Sequence, residues 1–389
     1  MNKDKIAFVV QRYGLDVNGG AEYLCRELAE HMTKVYDVSV FTSCAKSYSP
    51  WDNYYEQGLE KINGVDVYRY KVEKVGSEKR LEELFSEMRK GNEEIDDELI
   101  EELGPYCPSL IDELEVKAKE YKAVIFITYM YYTTVKGLKL NLENSILMPT
   151  AHDEPPIYWH VYENLFNLPK AILYNTIEEK KFLCNKFGIE SKKNRLDCAG
   201  IDIPDTQNAE LPPEYKCYKN YIIYVGRISN GKNYRELNKY FIEYKKRNPS
   251  DLKLIVVGSA DNDMNITCFD DIIYTGFVSE EEKVSLMCNA RLLVLPSKYE
   301  SLSLVILESM AVKRPILVNG YCEVLKGQCT RSNAGLYYTD YFEFEECLNY
   351  ILNNKEAYAQ MCENGYKFVS EKYNWDRIVD NVSGLVEEI

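Results

Sequence analysis

A chain of 389 residues has room for two α/β domains, each with its own core, and a formal net charge of -15 argues against a nucleic-acid partner and against broad adhesion to anionic lipid. No apolar run reaches the length of a membrane helix, and the polar start MNKDK passes straight into a strand-like run. The expectation is therefore a soluble, cytoplasmic protein whose contact with the inner face of a membrane is at most peripheral. Twelve cysteines are scattered through apolar segments without a CxxC or Cys/His cluster, and read as reduced, buried, small hydrophobes.

Residues 5–10 read as a strand, and the segment QRYGLDVNGGAEYLCRELAEHM after it as a glycine-bearing loop running into an amphipathic helix. Gly19 and Gly20 let backbone approach a ligand closely, and Glu22 reads as an ordinary first-turn carboxylate. Strands follow at 36–42 and 64–70. The stretch 78–119, rich in Glu, Leu and Lys and broken at Gly104-Pro105, reads as two or three helices inserted in the first domain. Further strands read at 122–128, 144–150, 169–175 and 195–199, with a helix over TIEEKKFLCNKFGI. The second of these runs into AHDEPPIYWH, which sets His152 and Asp153 at a strand end just before a proline-led helix start. Taken alone, His152 is as well explained as a structural imidazole. His31 and His160 read as structural.

Residues 205–219 carry prolines and polar residues without periodicity, which is a linker's pattern. The α/β rhythm restarts at YIIYVGRISNGKNYRELNKYF. There Arg227 and Lys232 share a strand-end loop, and two cations so placed can neutralise a diphosphate. Strands at LKLIVVGS and DIIYTGF and a helix over 279–290 lead to RLLVLPSKYESLSLVILESMAVKRPILV, which reads strand, loop, helix, strand. In a parallel sheet that loop lies at the carboxyl end of a strand, where open α/β folds bind ligands. With a helix starting near 301–303, the amides of Leu302, Ser303 and Leu304 form an anion site. Glu308, more than a turn inside, is placed to accept hydrogen bonds from neutral hydroxyls such as those of a ribose, while Glu300 faces another part of the ligand. Two amphipathic segments, 342–354 and 356–373, and a last helix end the chain.

The frame P-S-x-x-E-S-L-S-L-x-x-L-E-S-M-A-x-x-x-P-I, with Glu300 and Glu308 separated by seven residues, resembles the glutamate pair of retaining glycosyltransferases of family 4, which have the GT-B fold. Ser301 stands where the family usually has glycine, and Lys313-Arg314 where glycine often precedes the proline. The pattern Gly-Arg-x-x-x-x-Lys at 226–232, the string His-Asp-Glu-Pro at 152–155, the glycine loop and Gly200-Ile201-Asp202 are similar to family segments too.

The resemblance implies two Rossmann-like domains facing each other across a cleft. An acceptor-side domain takes residues 1–204, a nucleotide-sugar domain takes 220–372, and a terminal helix, 373–389, crosses back. It implies retaining transfer of a glycosyl group from a nucleotide sugar, with UDP-sugar favoured and GDP-mannose next. The acceptor would be a hydroxyl of a glycan, glycolipid, metabolite or protein, in bacterial-type glycan or glycoconjugate synthesis, and neither metal nor cofactor is implied. Arg227 and Lys232 would hold the diphosphate and Glu308 the ribose, while Phe277 and Val278 flank the base. Glu300, His152 and Asp153 would face the sugar, and Gly19 and Gly20 the donor phosphates and acceptor. A nucleotide-sugar epimerase of the same fold and a non-catalytic sugar-nucleotide-binding partner subunit are the other readings.

Overall fold

Apolar runs bounded by turn residues become parallel strands when helices cover both faces of their sheet, and this happens twice along the chain. The computed structural model describes residues 3–48, 50–206, 209–261, 264 and 269–389. It divides into Met1–Gly200 with Trp375–Ile389 as one unit, and Ile201–Asn374 as the other.

The strands of the first unit are β1 (Lys5–Val9), β2 (Asp37–Ser43), β3 (Gly58–Ile62), β4 (Val65–Tyr70), β5 (Ala123–Ile127), β6 (Ser145–Met148), β7 (Ala171–Tyr174) and β8 (Lys193–Leu196). They lie in the order β3-β4-β2-β1-β5-β6-β7-β8. Among these strand pairings β3–β4 is antiparallel and the others are parallel. Central β5 is fully buried, as a strand covered on both faces must be. The helices are α1 (Gly20–Met32), α2 (Glu78–Met88), α3 (Asp96–Leu103), α4 (Pro108–Lys117), α5 (Tyr132–Lys139) and α6 (Ile177–Phe187). The stretch read as inserted is thus α2, α3 and α4. Leu84, Leu99, Ile100, Leu110 and Leu114 join it to the first unit's own core beside Trp51. Trp51 anchors it further by donating its indole N–H to the Leu103 carbonyl at 3.0 Å.

In the second unit β9 (Tyr221–Val225), β10 (Lys253–Val257), β11 (Ile272–Gly276), β12 (Leu293–Leu295), β13 (Ile316–Asn319) and β14 (Gly335–Tyr338) pair in the order β11-β10-β9-β12-β13-β14, all parallel. Its helices are α7 (Tyr234–Arg247), α8 (Glu280–Asn289), α9 (Leu304–Ala311), α10 (Glu323–Ser332), α11 (Tyr341–Asn353) and α12 (Lys355–Lys372). This order reverses direction between β9 and β12. The first sheet does the same between β1 and β5, and such switch points are where open α/β sheets open a crevice for ligands.

The last helix, α13 (Trp375–Val386), packs with the first unit. Trp375 stacks on His31 with centroids 4.2 Å apart, and Asn381 donates to the Leu196 carbonyl at 2.7 Å. A side chain at Gly200 would fall 2.3 Å from the Trp375 ring, which accounts for the glycine.

The structure also revises the sequence reading. The exposed edge strand β3, the helix α10 and the strand β14 were not read at all, and β8 ends at Leu196 where a strand over 195–199 was expected. The second unit begins at Ile201, ahead of the expected linker 205–219. Described cysteines are free and buried except Cys217 and Cys347. No helix among the described residues is long and apolar enough to cross a membrane.

Candidate active site

The carboxyl ends of β9, β10 and β11 are stitched by glycines. Gly226 donates to the Val257 carbonyl at 2.9 Å and Gly258 to the Gly276 carbonyl at 2.9 Å. Gly258 has φ +134°, and a Cβ there would lie 2.1 Å from the Gly226 carbonyl oxygen, so only glycine allows the two loops to run side by side. Arg227 follows, its side chain exposed and its carbonyl held by the buried Tyr224 hydroxyl at 2.7 Å. Burial pushes the Tyr224 phenol up; Glu300 adds to this and Arg227 opposes it, so both charges act on one hydroxyl.

The loops after β9, β12 and β13 converge on one carbonyl, that of Pro296. Asn233, in the left-handed region at φ 56°, donates from Nδ2 to Pro296 O at 3.1 Å and to Glu236 Oε1 at 2.8 Å. Asn319 donates to the same two atoms, each at 3.1 Å. This clamp sets Lys232 opposite Glu300, with Nζ 2.6 Å from Oε1 and the side chains 33% and 12% exposed. Residues 68 positions apart, assigned separately to a diphosphate and a sugar, thus form an ion pair at the switch point. Reading by sequence missed Asn233, Glu236 and Asn319, for which asparagines at strand ends were the available signal.

The helix after Glu300 starts later than expected. Ser303 takes φ 67°, which cannot continue a helix, so it becomes the cap of α9 and leaves Leu302 outside. The amides lacking an acceptor within α9 are those of Leu304, Val305 and Ile306. Glu308, the fifth residue of α9, lies 3.0 Å from Lys283 Nζ on α8, and Lys283 lies 2.8 Å from Glu280. Burial raises the Glu308 carboxyl and Lys283 opposes the rise; burial lowers the Lys283 ammonium, but the two glutamates more than offset it. Exposed Phe277 and half-buried Val278 form the turn between β11 and α8.

In the first unit the glycine loop is built over a buried charge pair. Glu22, expected as a solvated first-turn carboxylate, is 2% exposed. Its Oε1 accepts from Gln11 at 2.9 Å, from Arg12 Nη2 at 2.7 Å and Nε at 3.0 Å, and from the Tyr48 hydroxyl at 2.6 Å. The correction has a steric cause: a Cβ on Gly19 would fall 2.2 Å from Glu22 Oε2, so the glycine makes room for the carboxylate to turn inward. At Gly20 nothing lies within 4 Å of such a Cβ. Arg12 also covers the Tyr48 ring at 3.5 Å, and Tyr48 stacks on Tyr131 in the loop after β5.

His152 lies past β6 in a loop pinned from below. Glu179, 1% exposed, accepts from the amides of Ala151 and Asn175, both at 2.7 Å. Burial pushes its carboxyl to about 8 against the pull of those backbone donors. Glu154 Oε1 lies 3.6 Å from His152 Nδ1 and accepts from the Tyr129 hydroxyl at 3.0 Å. Its carboxyl is pushed to about 7 by burial, with the Tyr129 bond opposing. Asp153 is exposed and accepts from Tyr158 at 2.6 Å. His160 sits at the surface among Glu93, Asp96 and Glu163. Neither Glu154 nor Glu179 was singled out from sequence, although both are acidic residues beside a strand end.

The sequence profile of the family Glycosyl transferases group 1 matches residues 212–368. Alpha-D-kanosaminyltransferase from Streptomyces kanamyceticus is 28% identical over 199 residues, 48% of this chain and 50% of that protein, so the chain spans about half of that relative's length. Sucrose-phosphate synthase from Thermosynechococcus elongatus superposes with a TM-score of 0.74 at 16% identity over 99% of both chains. Anabaena HepE, solved in complex with UDP-glucose, gives 0.70 at 16% identity over 99% of this chain and 100% of its own. The fold is GT-B, and residues 212–368 are similar to the group 1 glycosyltransferases.

Proposed function

We propose that the protein is a retaining, metal-independent glycosyltransferase of the family 4 type, moving a sugar from a nucleotide donor, UDP-sugar first, to a hydroxyl acceptor. The observation that carries this reading is the meeting of Arg227, Lys232 and Glu300 on adjoining strand-end loops. The Lys232 ammonium is one-third exposed, so an incoming diphosphate can reach it, take it over and free Glu300 for the sugar.

Charge grows on the departing diphosphate as the glycosidic bond breaks. Lys232, Arg227 and the amides opening α9 supply fixed positive potential for it without reorganisation. Glu308 accepts from the ribose hydroxyls, and Phe277 and Val278 border the base. In the first unit His152, Asp153 and the Gly19-Gly20 loop are assigned to the glycosyl group and the acceptor. UDP-glucose bound to the structurally similar Anabaena protein favours a uridine donor.

Thermal-shift measurements against UDP-glucose, UDP-galactose, UDP-N-acetylglucosamine and GDP-mannose test the donor. One of them is expected to raise the melting temperature by several degrees, and EDTA should leave that shift unchanged. NMR of the anomeric proton in product formed from that donor tests retention. A well-folded protein that responds to no nucleotide sugar would overturn the reading.

A further inference from the structure

The donor reading gives Glu308 the task of receiving hydrogen bonds from sugar hydroxyls, and a carboxylate does this from both oxygens only while ionised. Burial of Glu308 works against ionisation. The cation that answers it is Lys283, whose Nζ lies 3.0 Å from Glu308 Oε2. The lysine also bonds Glu280, but that glutamate is 64% exposed, whereas Lys283 and Glu308 are 16% and 20% exposed. The Lys283–Glu308 contact is therefore the one shielded from solvent, where a charge pair is least screened. Glu280 and Lys283 come from the first turn of α8 and Glu308 from α9, so the pair ties together the two helices that border the proposed nucleotide site.

We infer that Lys283 is a positioning residue for nucleotide recognition: by pairing with Glu308 it keeps that carboxylate ionised and fixed, which makes the second unit selective for ribonucleoside diphosphates over their deoxy counterparts. The inference rests on the donor reading and deepens it. Lys283 sits between two carboxylates, so its charge is already answered and is not available to a phosphate as Lys232's is. Its effect on a ligand passes through Glu308.

The test is calorimetric titration of UDP, GDP, 2′-deoxy-UDP and 2′-deoxy-GDP into the wild-type protein and the variants K283M, K283R, E308Q and K283M/E308Q. Methionine keeps the apolar stem of the lysine, and arginine keeps the charge. Wild type is expected to prefer the ribonucleotide by about tenfold or more, a difference of roughly 1.4 kcal/mol. In K283M and in E308Q the preference should shrink to about threefold or less. K283R should restore most of it, and the double variant should be no worse than either single one. A K283M protein that weakens UDP and 2′-deoxy-UDP equally, leaving their ratio unchanged, overturns the inference alone, as does additivity of the two single losses. Absence of binding of any of the four nucleotides to the wild-type protein overturns the donor reading and this inference together.

Discussion

The two units place their charges differently. In the second, Lys232 and Glu300 meet in loops at the strand-order switch, with the lysine one-third exposed. In the first, Arg12 and Glu22 are 3% and 2% exposed, and Glu179 is buried beneath the His152 loop. The Arg12–Glu22 charges cannot be lent out, because separating a buried pair leaves an uncompensated ion in low dielectric, and burial holds Glu179 towards its neutral form. In the proposed reading a strand-end charge can be lent to a ligand where solvent reaches it, as at Lys232, and is scaffold where both partners are sealed, as in Arg12–Glu22. The glycine loop of the first unit, which resembles a ligand loop in sequence, is in good part scaffold.

Substituting one member of each pair gives the sharpest contrast. Arg12→Met should destabilise the first unit by roughly 3–5 kcal/mol, since Glu22 stays buried without its cation. All three tryptophans, Trp51, Trp159 and Trp375, lie in the first unit, so tryptophan fluorescence during urea unfolding reads that unit selectively. Lys232→Ala should lower turnover by about 10²–10³-fold, the usual loss for one donor aimed at developing charge, with the melting temperature moved by only a degree or two. Arg12→Met with unaltered unfolding, or Lys232→Ala with unaltered turnover, would erase the distinction between the two units.

Much of this was legible in the sequence where apolar runs are long or charges lie in loops: β1, β5, β9 and β10 as buried runs, Arg227, Lys232 and Glu300 as strand-end groups, and Glu308 inside the helix that follows. What escaped has physical reasons. Strand β3, GLEKI, is exposed along its length, so no hydrophobic period marks it. The left-handed Ser303 that delays α9 reflects local backbone geometry, not composition. Lys283 in EEEKVS reads as a solvated helix face until packing sets Glu308 against it. Glu22 turns inward because Gly19 vacates the space, a relation no spacing rule contains.

A smaller effect separates Glu154, beside His152, from an ordinary glutamate. The Glu154 carboxyl, raised to about 7 in the fold, binds its proton more tightly there than in the unfolded chain. Its contribution to stability is therefore full below its ordinary value of 4.5 and is lost as pH rises through 7. Glu154→Gln removes that loss, so its stability should fall by about 2 kcal/mol less than wild type between pH 5 and pH 8. The pH–rate profile should also lose an inflection near 7, because Glu154 charges beside His152 in the wild type only above that pH. Parallel stability curves for the two proteins would mean that Glu154 is already ionised at pH 5.

The smallest expected effect is at Gly20, and it decides how far the first-unit loop is a site at all. Open space surrounds the position a Cβ would take there, and Gly20 is the first residue of α1. Gly20→Ala should therefore be neutral or stabilising by about 0.5–1 kcal/mol, through the reduced freedom of the unfolded chain. Gly19→Ala, by contrast, drives a methyl into Glu22 and Arg12 and should unfold the loop. If backbone at Gly20 approaches a ligand closely, the alanine variant will show a KM for donor or acceptor raised several-fold at full stability, a split that no structural role produces. If both KM values stay at wild type, Gly20 has no ligand, and the glycine pair reduces to the space Gly19 leaves for the buried Arg12–Glu22 pair.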